Sequence, residues 1–353
     1  VIGLRALARA GDGRLVACGE TFRSGSATDF LVVRFNTDGS LDASFNGSGF
    51  VATAFAGTFG ATLTDRCNAV AVLADGSVLA AGSTAQNGGS NNVAVLRYTP
   101  AGALDAGFGV GGRVIVNASV NPVSDNDARA IAVQADGRIL VAGSASGSGA
   151  NPDLLVMRFN ADGTPDASFN STGRVLTSFG LDDAANAIAL QGDGRIVVAG
   201  SAIPPGGSSR DMIVARYTGN GVLDPGFGSN GLATIAFGPS DDIAYAVAVM
   251  PWGRLVVSGS ARLGATTTGT ALAIAALDAD GSPDAYFGID GRRMLSFGGV
   301  TGVGRALATD LVHARLWVAG TADPDLTGDD LMAIEFGLPD TLLRTGFDAA
   351  GVR

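Results

Sequence analysis

The sequence predicts an all-β fold: a six-bladed β-propeller with four antiparallel strands in each blade. Three observations carry this. The strings "VACGE", "LAAGS", "LVAGS", "VVAGS", "VVSGS" and "WVAGT" place a glycine at Gly19, Gly82, Gly143, Gly200, Gly259 and Gly320. Their spacing of about 60 residues is a repeat period. A second marker follows in phase, at Phe45, Phe108, Phe169, Phe227, Phe287 and Phe347, each with a glycine four residues later. Lastly, only Glu20 and Glu335 among the 33 acidic residues are glutamate. The rest are aspartate, which suits turns and is poor inside helices.

The third unit shows the elements in order. It reads "ARAIAVQADGRILVAGS" and then "DLLVMRFNADGTPDASFNSTGRVLTSFG". Strands are expected over 130–134, 138–143, 154–159 and 174–179, with "ADG" as the hairpin turn between the first two. Alanine-rich first strands such as "NAVAV" and "RAIAV" suit the crowded position nearest a propeller axis. The fourth strand alternates and is expected at the exposed outer edge. No segment has ten or more residues of helical periodicity. A β-solenoid is the alternative, but its coils are usually shorter. The expected domain is a single propeller over 1–353, with blades over 2–56, 66–118, 127–180, 184–238, 243–298 and 303–353. The last ends three residues into its fourth strand, so the sixth blade is expected to lack an outer strand or to continue beyond Arg353.

Composition narrows the function classes. Hydrophobic residues are 46% and charged residues 16%, which marks a folding chain. Glycine is 53 of 353 residues, about twice its usual share, in keeping with many tight turns. All 23 basic residues are arginine. The net charge of -10 argues against nucleic acid or an anionic membrane as partner. No stretch reaches the ~18 apolar residues of a membrane span, so direct insertion is not expected. Val1 is no initiator methionine and no signal peptide is visible, which reads as a mature form or an excised fragment.

The pattern "DGRILVAGS" with "RFNADGTPDASFNSTG" and their counterparts, spanning almost the whole chain, resembles the delta-sixty repeat family of bacterial β-propellers. The resemblance implies a propeller on secreted or surface-associated bacterial proteins, hence an extracellular or cell-surface location. It supplies no activity. The end "PDTLLRTGFD" is similar to a short C-terminal signature on secreted proteins of some Gram-negative bacteria.

Strand order sorts the connections into two faces. Turns from strand one to two and loops from three to four are nearly constant among the units. The connections from two to three, and from each unit to the next, vary ("AQNGGSNN", "ASGSGANP", "IPPGGSSR"). Variable loops on a fixed scaffold are where binding usually lives; unrestrained drift gives the same pattern. Asp65, Asp125, Asp127, Asp182, Asp183, Asp241 and Asp242, with Tyr245, are expected to crowd the channel mouth on that face. Such carboxylates could take a cation, a sugar or a basic peptide, or merely cap loop turns. The main reading is a non-enzymatic binding or display module for a protein or glycan. The alternatives are a carbohydrate-active enzyme using paired aspartates and a purely structural unit in a larger assembly.

Catalytic groups are few. His313 is the sole histidine, and lysine is absent. Cys18 and Cys67 fall in neighbouring blades and could form a disulfide or stay as two buried thiols.

"VVRFNTDGSLDASFN" has the short acidic spacings of a calcium loop, yet its copies argue for ion pairs. Arg34, Arg97, Arg158 and Arg216 recur opposite Asp42, Asp105, Asp166 and Asp224, and the sixth unit inverts the charges as Glu335 and Arg344. Bidentate arginine–carboxylate pairs are therefore expected. In the fifth unit Ala276 replaces the arginine, and Asp278, Asp280 and Asp284 could recruit Ca²⁺. No other cofactor is expected.

Overall fold

The computed structural model describes residues 2–22, 28–55, 64–85, 90–119, 125–146, 151–262, 264, 269–296, 301–313, 315–322 and 330–337. The fold is a six-bladed β-propeller. Each blade is an antiparallel meander in which every strand pairs with the next in sequence. Five blades have four strands. The sixth has three among the described residues: Gly302–Asp310, Arg315–Ala322 and Asp330–Gly337. The chain divides into two compact units, Val1–Ser178 and Phe179–Arg353, with three blades in each. Helix among the described residues is confined to a 3-10 turn at Pro251–Gly253.

The third blade consists of Asn126–Val133, Ile139–Ser146, Pro152–Phe159 and Arg174–Thr177. Its first strand starts four residues earlier than the sequence suggests, and its second ends three later. A β-bulge explains both. Pairing runs from Val133 back to Ala130, skips Arg129, and resumes at Ala128 opposite Gly143. The skipped residue resets the side-chain alternation, so the strand outlasts its visible pattern.

The bulge also explains the first marker. A Cβ added to Gly143 would lie 1.8 Å from the Asp127 carbonyl oxygen, and one on Gly200 would lie 1.9 Å from that of Ala184. The first strand folds in against the second there, and only glycine leaves room.

The middle strands form the core. All eight residues of Val78–Ala85 and of Ile139–Ser146 are buried. The side chains of Val78–Ala85 face the first blade on one side and the third on the other, so the strand is buried on both faces rather than alternately. Leu79, Val93 and Val95 of the second blade pack with Val141, Leu155 and Met157 of the third. In the second unit, Val197 and Val214 pack with Val257 and Ala275. Each such Val or Leu contributes roughly 1.5–3 kcal/mol by leaving water.

Candidate functional site

The "RFNTDGSLDASF" loops fold into repeated clasps. Arg34 Nε donates to Asp42 Oδ2 at 2.7 Å, Nη2 to Ser44 Oγ at 3.0 Å, and Nη1 to the Pro100 carbonyl of the next blade at 2.6 Å. The guanidinium carbon sits 4.7 Å from the centre of the Phe45 ring, adding a cation–π contact. Asp42 Oδ1 accepts from both Ser44 N and Ser44 Oγ. Hydrogen bonds from Ser44, with the Arg34 charge behind them, hold its carboxyl below the ordinary range despite burial. Arg97–Asp105 and Arg158–Asp166 repeat the pair at 2.7 Å, and Arg216–Asp224 at 2.8 Å. Arg97 reaches the Ala161 carbonyl, and Arg216 that of Ala279, each in the following blade.

A second arginine, from the turn between strands one and two, also reaches this aspartate in three blades. Arg14 lies 3.2 Å from Asp42, Arg138 3.3 Å from Asp166 and Arg195 2.8 Å from Asp224. Their recurrence in "DGR" was the available signal.

The fifth blade is rewired. Arg254, at the same turn position, pairs at 2.9 Å with Asp278 instead. Asp280 Oδ1 accepts from Ser282 N and Oγ, and Asp284 Oδ1 from Tyr286 N. Each carboxylate thus has its own local donor, and no group of three or more His, Cys, Asp or Glu among the described residues could hold a metal ion. Asp284 is fully buried, and its Oδ2 has no hydrogen-bond partner. In the sixth blade Glu335 lies 3.3 Å from Arg315. Arg344, its expected partner, lies outside the described residues.

The aspartates expected at a channel mouth are differently engaged. Asp65 is 2% exposed, and Asp183 and Asp242 are fully buried. Asp65 accepts from Phe55 N at 3.1 Å and Thr84 Oγ1 at 2.7 Å. Asp183 accepts from Phe179 N at 2.5 Å, and Asp242 from Phe237 N at 2.6 Å. They tie the end of one segment to the start of the next first strand rather than facing solvent. Burial pushes the Asp65 carboxyl up, and that of Asp242 up to about 6, with the Asp211 charge adding to the latter. Asp125 Oδ1 accepts from Asn91 N at 2.8 Å, and Asp241 Oδ1 from Arg210 N at 2.8 Å. Asp182 lies 3.2 Å from Arg210, and Asp127 3.2 Å from Arg129. Arg305 covers the Tyr245 ring at 5.1 Å.

Cys18 and Cys67 form a disulfide with their Cα atoms 5.7 Å apart, joining the first two blades. His313 is an exposed turn residue whose Nδ1 lies 2.6 Å from Asp310 Oδ2.

Two clefts lie where the constant-face loops of adjacent blades meet. One, of about 400 Å³, is lined by Asp12, Arg14, Arg34, Asp75 and Pro100. The other, of about 380 Å³, is lined by the corresponding Asp193, Arg195, Arg216, Trp252 and Ala279. Trp252 therefore stands in the place of Asp75. It departs from the "ADG" turn, and it is 62% exposed.

Segments 10–45, 73–108, 134–169 and 191–227 match the family described as a domain of unknown function (DUF5122) beta-propeller. Each begins near the turn after a first strand and ends on the phenylalanine of a clasp. No curated protein matches the sequence. A protein of unknown function from Dyadobacter fermentans has a similar structure, with a TM-score of 0.54 and 12% identity over 96% of this chain and 95% of that one. An α-L-arabinofuranosidase of Fusarium graminearum gives 0.48 and 13% identity over 94% and 92%. The matched repeat is a β-propeller repeat, and the likeness to the Dyadobacter fermentans protein is one of fold alone.

Proposed function

We propose that this chain is a non-enzymatic binding or display module of a secreted or surface-associated bacterial protein. It takes up a protein or glycan partner through the variable loops between second and third strands. The observation that carries this reading is how those loops are footed. In four blades the loop is tied, where it re-enters the third strand, to the blade that follows. Thr28 Oγ1 donates to the Asp65 carbonyl at 2.9 Å in the first blade. Asn91 N donates to Asp125 in the second, and Arg210 N to Asp241 in the fourth. Thr270 Oγ1 donates to the Gly302 carbonyl at 3.4 Å in the fifth. Anchored footings beneath loops of differing sequence suit recognition by the loops. The Cys18–Cys67 disulfide favours an oxidising, extracellular location.

The footing also weakens the glycosidase alternative, because Asp65, Asp125, Asp183, Asp241 and Asp242 already hold backbone N–H groups, and Asp127 and Asp182 lie against arginine side chains. The test replaces residues 86–89 with Gly-Ser-Gly-Ser and screens both proteins on glycan and surface-protein arrays. The expected result is a ligand retained by the parent and lost by the loop variant at unchanged melting temperature. Turnover of a polysaccharide panel that disappears in Asp182→Asn or Asp241→Asn would overturn the reading in favour of an enzyme.

A further inference from the structure

The geometry points to a saccharide-binding subsite at the Trp252 cleft, at the strand ends opposite the variable loops. The repeat supplies its own comparison. The clefts of about 400 and 380 Å³ are built from corresponding positions; besides Ala10 to Gln191 and Pro100 to Ala279, they differ where Asp75 gives way to Trp252. Both sizes fall in the range of small-molecule sites, roughly 300–1,000 Å³.

Trp252 is held against its backbone preference. Its φ of 64° and ψ of 17° lie in the left-handed region, which a bulky residue rarely adopts. The turn nevertheless closes as in the other blades, with Met250 N donating to the Arg254 carbonyl at 2.7 Å. Gln191 Nε2 fixes it further, donating to the Gly253 carbonyl at 3.1 Å. The strained conformation presents an indole that is 62% exposed, and such strain concentrates at ligand sites.

The rest of the cleft selects the ligand class. Arg195 pairs with Asp193 and Asp224, and Arg216 with Asp224. The charges are matched, so neither an anion nor a cation is favoured. The wall is polar, so a purely aliphatic ligand is not favoured either. A sugar ring meets both conditions. Its C–H face stacks on the indole, and its hydroxyls bond to Asp193 and the outer edge of Arg195, which are 49% and 44% exposed.

The test uses calorimetric titration of the whole chain with cellohexaose, mannohexaose, xylohexaose, arabinohexaose and hexagalacturonate. A Trp317→Phe variant leaves Trp252 as the single tryptophan, so its emission reports the same titration. Saturable binding of at least one neutral hexasaccharide is expected, with a blue shift of Trp252 emission. Trp252→Asp, which restores the residue of the first four blades, should weaken it at least about tenfold. Trp252→Gly should do the same while raising the melting temperature, since glycine relieves the strained φ. No saturation with any neutral sugar, binding of hexagalacturonate alone, or full affinity in Trp252→Asp would each overturn the assignment.

Discussion

Arg34 and Pro100 lie in successive blades, 66 residues apart, and are joined by a 2.6 Å hydrogen bond from the guanidinium to the carbonyl. The same guanidinium holds Asp42 in its own blade. One buried side chain thus closes a loop and bolts it to its neighbour. Arg34→Met leaves a buried carboxylate short of its partner, and equilibrium denaturation should show a loss at the low end of about 3–5 kcal/mol. Arg14, 3.2 Å from Asp42, moderates the loss. Adding Asp42→Asn should recover part of it, because the stranded charge is removed; a purely additive double variant would refute the coupling.

Asp284 gives the opposite expectation. Its Oδ2 is buried without a partner, and Ala276 stands where the first four blades have the clasp arginine. Asp284→Asn keeps an acceptor for Tyr286 N and removes the charge. It should stabilise by about 1–3 kcal/mol in thermal or urea unfolding. Added calcium should leave the melting temperature of the parent unchanged, since Arg254 and Ser282 already hold Asp278 and Asp280.

Asp242 sets a pH dependence. Its folded pKa of about 6 lies above the unfolded value of roughly 3.9. Between those values the folded state binds a proton that the unfolded state does not. The contribution of this group to stability therefore rises as pH falls from 7 to 4. Asp42 has the reverse sign: its lowered pKa gives stability above the unfolded value that is lost in stronger acid. Subtracting the pH profile of Asp242→Asn isolates the first effect, on the order of 1–3 kcal/mol. A flat difference between pH 4 and 7 would show that the carboxyl is not perturbed.

Reduction should cut stability. The Cys18–Cys67 bond spans 49 residues, which the chain-entropy estimate values at about 4 kcal/mol. Both cysteines are buried, so reduction of the native protein should be slow until the first two blades open. Melting with and without a reductant, and in a Cys18→Ala/Cys67→Ala variant, measures the effect.

The fold was legible because its markers are enforced by close contact. Gly143 faces a carbonyl that no Cβ can approach, so its copies keep their phase. Strand ends were less legible, since the bulge at Arg129 resets the alternation and hides residues 126–128. The aspartates misled for a related reason. Asp is usually a surface residue, and the N–H groups that bury Asp65 and Asp242 lie 10 and 5 residues earlier in irregular chain. The carbonyl of Pro100 has no side-chain signature, so no spacing could reveal it as the third partner of Arg34.

The bolt between blades has a one-sided chemistry. Arginine, aspartate and phenylalanine all come from one repeat, while the next offers only a backbone oxygen, at Pro100, Ala161 or Ala279. A main-chain oxygen survives every substitution at its own residue. Any copy can therefore follow one that carries the arginine, and duplicating or deleting such a repeat leaves a joint that still closes.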